Sequence, residues 1–332
     1  MRILVTGVSG FVGAMLAPRL LADGHDVRAL SRDPRRAKTA LDDDIATDAL
    51  AYERESASGP KRTSEIVRGD VLTGEGLERA LEQIEVAYYL IHSMESAPAG
   101  TAFAHGFPER ERLGASNFAA AARRAGVRRI VYLGGLVPRD STLVSTHLAS
   151  RVAVEDILLE AVPDSVALRS SIVIGARSRS FRMLVRLIER MPVLTLPSWR
   201  RFRTQPIDAR DAIELLAAAA SSPAVAGRSL DIGGPEALTY EELLARIAES
   251  LLLSRPTLAI GLGVTSLTAR LAAAVSREDP ELILALMEGL RSDLLPAEDH
   301  AAELLGVPLH SLDAAIERAL RDWEAVEPLA AR

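Results

Sequence analysis

Apolar positions in the first half of the chain come in short runs separated by longer amphipathic stretches. The runs Ile3–Val5, Val27–Leu30, Glu65–Val67, Val86–Ile91, Ile130–Leu133 and Ser165–Leu168 are brief and rich in β-formers, the pattern of strands buried on both faces. Between them, apolar residues recur at helical spacing over Val12–Ala22, Thr73–Gln83 and Leu113–Ala125. Gly24 and Gly126 stand where a left-handed residue closes a helix. Strands alternating with helices of this length predict a doubly wound α/β fold with a parallel sheet.

The rhythm breaks between Arg32 and Thr63, where Asp, Arg, Ser and Ala dominate and Ser56–Pro60 carries turn residues. A short helix followed by a solvated loop is expected there. After residue 175 helical patterns prevail, at Ser180–Arg190, Ala209–Ala220, Tyr240–Leu252, Leu262–Val275, Pro280–Leu290, Glu298–Leu304 and Ser311–Val326. Strand-like pieces are few, at Thr204–Ile207 and Ser229–Ile232. The expected division is a Rossmann-type unit over 1–175, with segments near 204–232 returning to it. A smaller, mainly helical unit follows over 176–330.

Composition narrows the classes. Hydrophobic residues make up 48% and charged residues 25% of the 332, enough to bury a sizeable core. A net charge of -6 gives no reason to expect nucleic acid or an anionic membrane as partner. Cysteine is absent, which removes thiolate catalysis and cysteine-ligated metals. The chain opens directly on strand-like Ile3-Leu4-Val5, so no signal peptide is expected. The apolar stretch Leu258–Val275 contains Arg270 and reads as a buried or interfacial helix rather than a membrane span. A cytoplasmic location is expected. Lysine occurs only at Lys38 and Lys61, and arginine supplies the other positive side chains.

The strongest chemical signal is Thr6-Gly7-Val8-Ser9-Gly10-Phe11-Val12-Gly13, which follows a predicted strand and opens a predicted helix. Gly7 suits a tight turn, Gly10 admits a pyrophosphate to backbone N–H groups, and Gly13 lets helix and strand approach. The helix N-terminus adds N–H donors and partial positive charge. Strand, loop, helix and second strand in register give a dinucleotide-binding loop, with Ser9, Phe11 and Val12 among its contacts.

The second strand's end bears on the choice of nucleotide. It reads Ser31-Arg32-Asp33-Pro34-Arg35-Arg36, cationic as a 2′-phosphate requires, which favours NADP over NAD. Asp33 fits either a ribose-binding acid or a helix N-cap with proline following it, and the cap is preferred. Asp70 and Val71 close the third strand, where the carboxylate either faces adenine or caps the next helix. Ile91 and His92, at the end of the fourth strand, are expected to contact the cofactor; His92 and Ser93 face the same cleft, where a loop-capping role is preferred to catalysis for both.

Together these pieces resemble the extended and atypical short-chain dehydrogenase/reductase superfamily. Thr6-Gly7-x-x-Gly10-x-x-Gly13 looks like its phosphate loop and Gly69-Asp70-Val71 like its adenine pocket. The helix around Asn117 and the segments Leu168–Gly175, Gln205–Ala212 and Ile232–Glu236 look like its later landmarks. Tyr89–Met94 and Tyr132–Leu136 are most similar to NmrA-like NAD(P)H-binding proteins and to complex I accessory subunits. The superfamily's catalytic Tyr-x-x-x-Lys pair is missing: the residues four before Lys38 and Lys61 are Pro34 and Ala57. Where the pair should fall, His147 replaces Tyr and Arg151 replaces Lys, and Gly134 or Gly135 takes the serine position.

Two readings follow. In one, His147 exchanges a proton, because imidazole titrates near neutrality, while Arg151 holds the nicotinamide ribose or lowers the His147 pKa. The protein is then an oxidoreductase acting on a small or lipophilic carbonyl or quinone-like acceptor. In the other, both residues only dock cofactor or pack, and the protein is a nucleotide-sensing regulator or a scaffold with structural nucleotide. A nucleotide-sugar epimerase fits less well without Tyr and Lys. His25, His105, His300 and His310 are scattered, so no metal is expected. Trp199 reads as a pocket wall or surface anchor, and Trp323, spaced helically from Ile316 and Leu320, as core. Substrate or protein partner, and oligomeric state, are left open.

Overall fold

A computed structural model describes residues 1–42, 65–92, 106–139, 144–259, 287, 290, 292–298 and 300–329. The expected loop around Ser56–Pro60, Ser93, His105 and the expected helix Leu262–Val275 lie outside the described residues, as does nearly all of Pro280–Leu290.

The first half alternates as its pattern requires: β1 (Arg2–Thr6), α1 (Phe11–Ala22), β2 (Asp26–Ser31), α2 (Pro34–Asp42), β3 (Glu65–Arg68), α3 (Leu77–Leu81), β4 (Val86–Tyr89), α4 (Phe107–Arg124), β5 (Arg129–Gly135), α5 (Thr146–Ala161) and β6 (Val166–Ser170). A strand from much later, β11 (Ser229–Ile232), completes a seven-stranded sheet ordered β11-β6-β5-β4-β1-β2-β3. Every pairing in it is parallel. Strand order reverses at β1, with β2 on one side and β4 on the other, so a crevice opens at the carboxyl ends of those strands.

Side chains alternate across this sheet. Ile3 and Val5 join a core with Leu16 and Leu20 of α1 and with Ile213 and Leu216. Leu4 faces the opposite core with Phe118 of α4 and Leu158 of α5. Thus both faces are covered, which explains the unbroken apolar runs.

Between β6 and β11 lie β7 (Val173–Ile174), α6 (Arg179–Arg190), β8 (Leu194–Leu196), β9 (Arg203–Thr204), β10 (Ile207–Asp208) and α7 (Ala209–Ala219). β12 (Leu238–Thr239), α8 (Tyr240–Ser250), β13 (Thr257–Ala259), α9 (Ala301–Leu305) and α10 (Leu312–Glu324) follow. A third core gathers Phe181, Leu184 and Ile188 of α6 with Leu243, Ile247, Ile316 and Trp323. Trp323 is therefore core, as its spacing indicates. Trp199 is buried there too, edge-on to Tyr240 at 5.8 Å, and is not a surface anchor.

Several boundaries moved for identifiable reasons. The helix expected over Thr73–Gln83 shrinks to α3 because Gly74 and Gly76 adopt φ of +78° and +75°, outside the helical region. The strand expected over Thr204–Ile207 is split into β9 and β10, with Gln205 and Pro206 between them. Proline has no N–H to give a ladder. The fourth strand stops at Tyr89, before Leu90 and Ile91. Among the described residues no helix is long and apolar enough to cross a membrane.

Candidate functional site

The glycine loop is held by contacts that leave no space for side chains. Gly7 has φ +67°, and a Cβ there would lie 2.7 Å from the Leu90 carbonyl oxygen. A Cβ on Gly13 would lie 2.4 Å from the Gly7 oxygen, so helix and loop touch backbone to backbone. The Gly10 N–H donates to Gly7 O at 2.8 Å, closing the turn. Gly10 caps α1 without a side-chain acceptor, so the opening N–H groups at Phe11, Val12 and Gly13 are left for a ligand. Such a cradle fits a diphosphate. Ser9 flanks it, half-buried. The Phe11 ring fills the place that a Cβ on Gly175 would occupy, 2.5 Å from its Cζ.

Thr6 opens the loop motif, which by itself assigns it no role. Its hydroxyl donates to Tyr88 O at 3.0 Å and accepts from Leu90 N at 3.0 Å, welding the end of β1 to that of β4. The weld sets the glycine loop against Leu90, Ile91 and His92.

At the tip of β2 the Asp33 carboxylate accepts from the N–H groups of Arg35 and Arg36 at 3.0 and 3.2 Å. Asp33 is thus the N-cap of α2. Ser31 Oγ accepts from Asp33 N at 3.2 Å, and Arg32, Arg35 and Arg36 are exposed. After β3, Asp70 Oδ1 accepts from Leu72 N at 2.8 Å. The cap alternative for Asp70 fails, because α3 begins only at Leu77 with Gly76 as its N-cap. Asn117 Nδ2 donates to Val71 O and Leu72 O at 2.8 and 3.0 Å, so α4 fixes the loop that carries Asp70 and Val71.

The positions of the missing Tyr and Lys lie on the first turns of α5, which Ser145 caps by accepting from Leu148 N. His147 does not stand alone. Its ring stacks on His92 with centroids 5.0 Å apart, and Phe107 of α4 packs beside both. His92 Nδ1 lies 2.9 Å from Glu111 Oε1, and Glu111 Oε2 accepts from Ser150 Oγ at 3.0 Å. Glu111 is buried in α4, with Arg151 Nη1 3.9 Å from its carboxylate. Glu111, Ser150 and Phe107 escaped the sequence reading because no local motif marks them; only the fold brings α4 and α5 together.

Arg151 turns inward. Its guanidinium donates to Leu133 O and lies over the Tyr132 ring, 4.7 Å from the centroid. Burial, with His92 and Arg151 nearby, pushes His147 down to about 3, so the ring is neutral at ordinary pH. Its Nδ1 is buried without a hydrogen-bond partner among the described residues. Burial and then Arg151 also hold His92 below the usual imidazole range, with Glu111 opposing them. Gly134 and Gly135 stand at the end of β5, where a Cβ would crowd Tyr132 and Leu148 respectively.

A further histidine contact joins two helices of the second half. His310 Nδ1 lies 2.5 Å from the buried Asp211, whose carboxylate also accepts from His310 N–H, pinning the start of α10 to α7.

Comparison with known proteins bears on family and fold. Residues 3–233 match the family model described as the NAD dependent epimerase/dehydratase family. The 3-beta-hydroxysteroid dehydrogenase of Mycolicibacterium neoaurum is 31% identical over 157 residues, 44% of this chain and 37% of that protein. Little more than a third of that relative's length is therefore spanned. The ceramide reductase of Caulobacter vibrioides is 29% identical over 243 residues, covering 73% of this chain and 68% of the reductase. Among solved structures, Citrobacter sp. triphenylmethane reductase complexed with NADP(H) superposes with TM-score 0.69 at 16% identity, over 96% of this chain and 100% of that one. MoeE5 in complex with UDP-glucose and NAD gives 0.68 at 20% identity, over 98% and 99%. At such identities the structural likeness is one of fold. The family match covers well over half of the chain, which thus belongs to the NAD-dependent epimerase/dehydratase family within the extended short-chain dehydrogenase/reductases.

Proposed function

We propose that the protein is a nicotinamide-dependent oxidoreductase that favours NADP(H) and acts on a lipophilic carbonyl or quinone-like acceptor. The observation that carries this reading is the His92–His147 imidazole pair, backed by buried Glu111 and set at the strand ends beside the glycine loop. The nicotinamide, when bound, supplies or accepts the hydride. Gly7 through Gly13 hold the diphosphate, and Asp70 and Val71 border the adenine. Ser31 and Arg32 border the ribose phosphate: with the Asp33 carboxylate spent on capping and the Ser31 hydroxyl turned to the Asp33 backbone, the β2 tip offers exposed cations. An imidazole of this pair, beside the place of the missing tyrosine, exchanges the proton. Arg151, committed to Leu133 O and Tyr132, acts on that imidazole through its charge rather than by gripping the ribose. Residues 1–175, with 204–232 returning, form the nucleotide unit, and the rest of 176–330 shapes the substrate side.

The lipophilic choice draws support from the two curated relatives, whose names specify a steroid and a ceramide. Oxidation of NADPH by the purified chain across a panel of ketones, quinones and nucleotide-sugars tests the proposal. Turnover of a ketone or quinone but not of a nucleotide-sugar is expected. Tight NADPH binding with no turnover of any would overturn it. A second reading, a nucleotide sensor that docks a protein partner, is favoured by one observation: the buried Nδ1 of neutral His147 has no partner among the described residues. Calorimetry separates the two, since a sensor must bind NADP and NADPH with different affinity.

A further inference from the structure

We propose that Glu111 is the positioning residue of this site and that it makes His92, rather than His147, the imidazole that exchanges a proton with substrate. The inference rests on the oxidoreductase reading above and deepens it.

The two rings differ in what stands behind them. A protonated His147 would carry its buried Nδ1–H with no acceptor among the described residues, and Glu111 favours its charge without a hydrogen bond to it. His92 places Nδ1 2.9 Å from Glu111 Oε1, so its Nδ1–H has an anionic acceptor in either protonation state. Glu111 is itself fixed. Its second oxygen takes the Ser150 hydroxyl at 3.0 Å, and Arg151 lies 3.9 Å from the first. With Nδ1–H so held, Nε2 carries the lone pair. The His92 side chain is 36% exposed, so the ring is packed on one side without being sealed from solvent. His92 also follows directly on Leu90 and Ile91, the segment against which Gly7 is packed. His147 then serves as a neutral, stacked wall that fixes the plane of the His92 ring.

In the oxidising direction the substrate O–H bond breaks and its proton passes to His92 Nε2. The adjacent C–H bond yields hydride to the oxidised nicotinamide, and the C=O bond forms. The imidazolium returns its proton to solvent, and reduction runs the same sequence backwards. Charged and titratable groups face His92 from three helices: Glu111 of α4, His147 and Arg151 of α5, and Arg179 at the start of α6. Of these only Glu111 favours the charged imidazole through both a hydrogen bond and its charge.

The test uses the full chain labelled with ¹⁵N-histidine, followed by NMR against pH with and without NADPH, and NADPH-dependent reduction of 2-decanone. The expected spectrum shows His92 protonated on Nδ1 and titrating at Nε2, with His147 neutral across the same range. Glu111→Gln should shift the His92 titration to lower pH and move the kcat limb with it, leaving KM nearly constant; Glu111→Asp should recover part of both. His92→Gln should cost about a hundredfold in kcat, the scale of general acid–base catalysis, and erase the limb. His147→Phe, which keeps a stacked ring, should cost less than about tenfold and leave the limb in place. Protonation of His92 on Nε2 instead, or loss of the limb in His147→Phe with its survival in His92→Gln, would overturn the assignment. If wild type reduces neither ketone nor quinone, the oxidoreductase reading falls by itself, and a His92 titration that Glu111→Gln leaves unmoved would sink the Glu111 role separately.

Discussion

The glycine loop and the imidazole cluster occupy neighbouring ends of one sheet, yet they are built by opposite means. The loop is backbone throughout. Its function depends on what is missing, since a Cβ at Gly7 or Gly13 would collide with carbonyl oxygens. The cluster is made of side chains from the end of β4, from α4 and from α5, and its shape depends on the polar contacts among them. A backbone cradle tolerates almost no substitution but many chemistries nearby. A side-chain cluster can exchange a Tyr–Lys pair for imidazoles and a carboxylate while the cradle beside it stays intact.

The contrast is broken most severely at Gly13. Gly13→Val should weaken NADPH binding by about a hundredfold or more, some 2.7 kcal/mol, because the new side chain starts within 2.4 Å of Gly7 O. Titration of nucleotide fluorescence reads this directly, and retained affinity would mean the loop is not the diphosphate site. Asn117→Ala comes next. Removing both bonds to Val71 O and Leu72 O should cost about 2 kcal/mol of stability in denaturant unfolding, with nucleotide affinity falling alongside. Unchanged stability would show that the loop after β3 is held by other contacts.

Arg32→Ala sharpens the nucleotide half. It should weaken NADPH about tenfold, or 1.4 kcal/mol, and spare NADH. Equal losses for both would remove the case for a 2′-phosphate contact. The smallest effect concerns acid stability. His147 has its folded pKa depressed to about 3, below its unfolded value, so the unfolded chain binds more protons in between. Stability from this group is complete above the unfolded imidazole pKa and declines as pH falls toward 3. His147→Phe should flatten that decline in thermal melts, and an unaltered slope would place the proton uptake elsewhere.

How much of this could be read in advance follows from the same contrast. The strands, α1 and the glycine loop were legible because each is written in contiguous residues under a periodic constraint. The capping role of Asp33 was legible too, because Asp-Pro is a local signal. Glu111 and Ser150 were not, since a carboxylate on one amphipathic helix and a serine on another carry no mark of facing one imidazole. Pro206 divided an expected strand, and Gly74 and Gly76 shortened an expected helix, through local backbone chemistry that the apolar pattern outweighed. Trp199 stood between pocket wall and surface anchor because nothing beside it in the chain shows that Tyr240, far along, packs edge-on against it.

The central claim is that cradle and cluster serve one bound nucleotide. Nuclear Overhauser contacts between the nicotinamide ring protons of bound NADPH and the imidazole protons of His92 and His147 test it most directly. The account predicts contacts to His92, reduced in Gly13→Val to the degree that binding is lost. Saturating NADPH with no contact to either ring would contradict it.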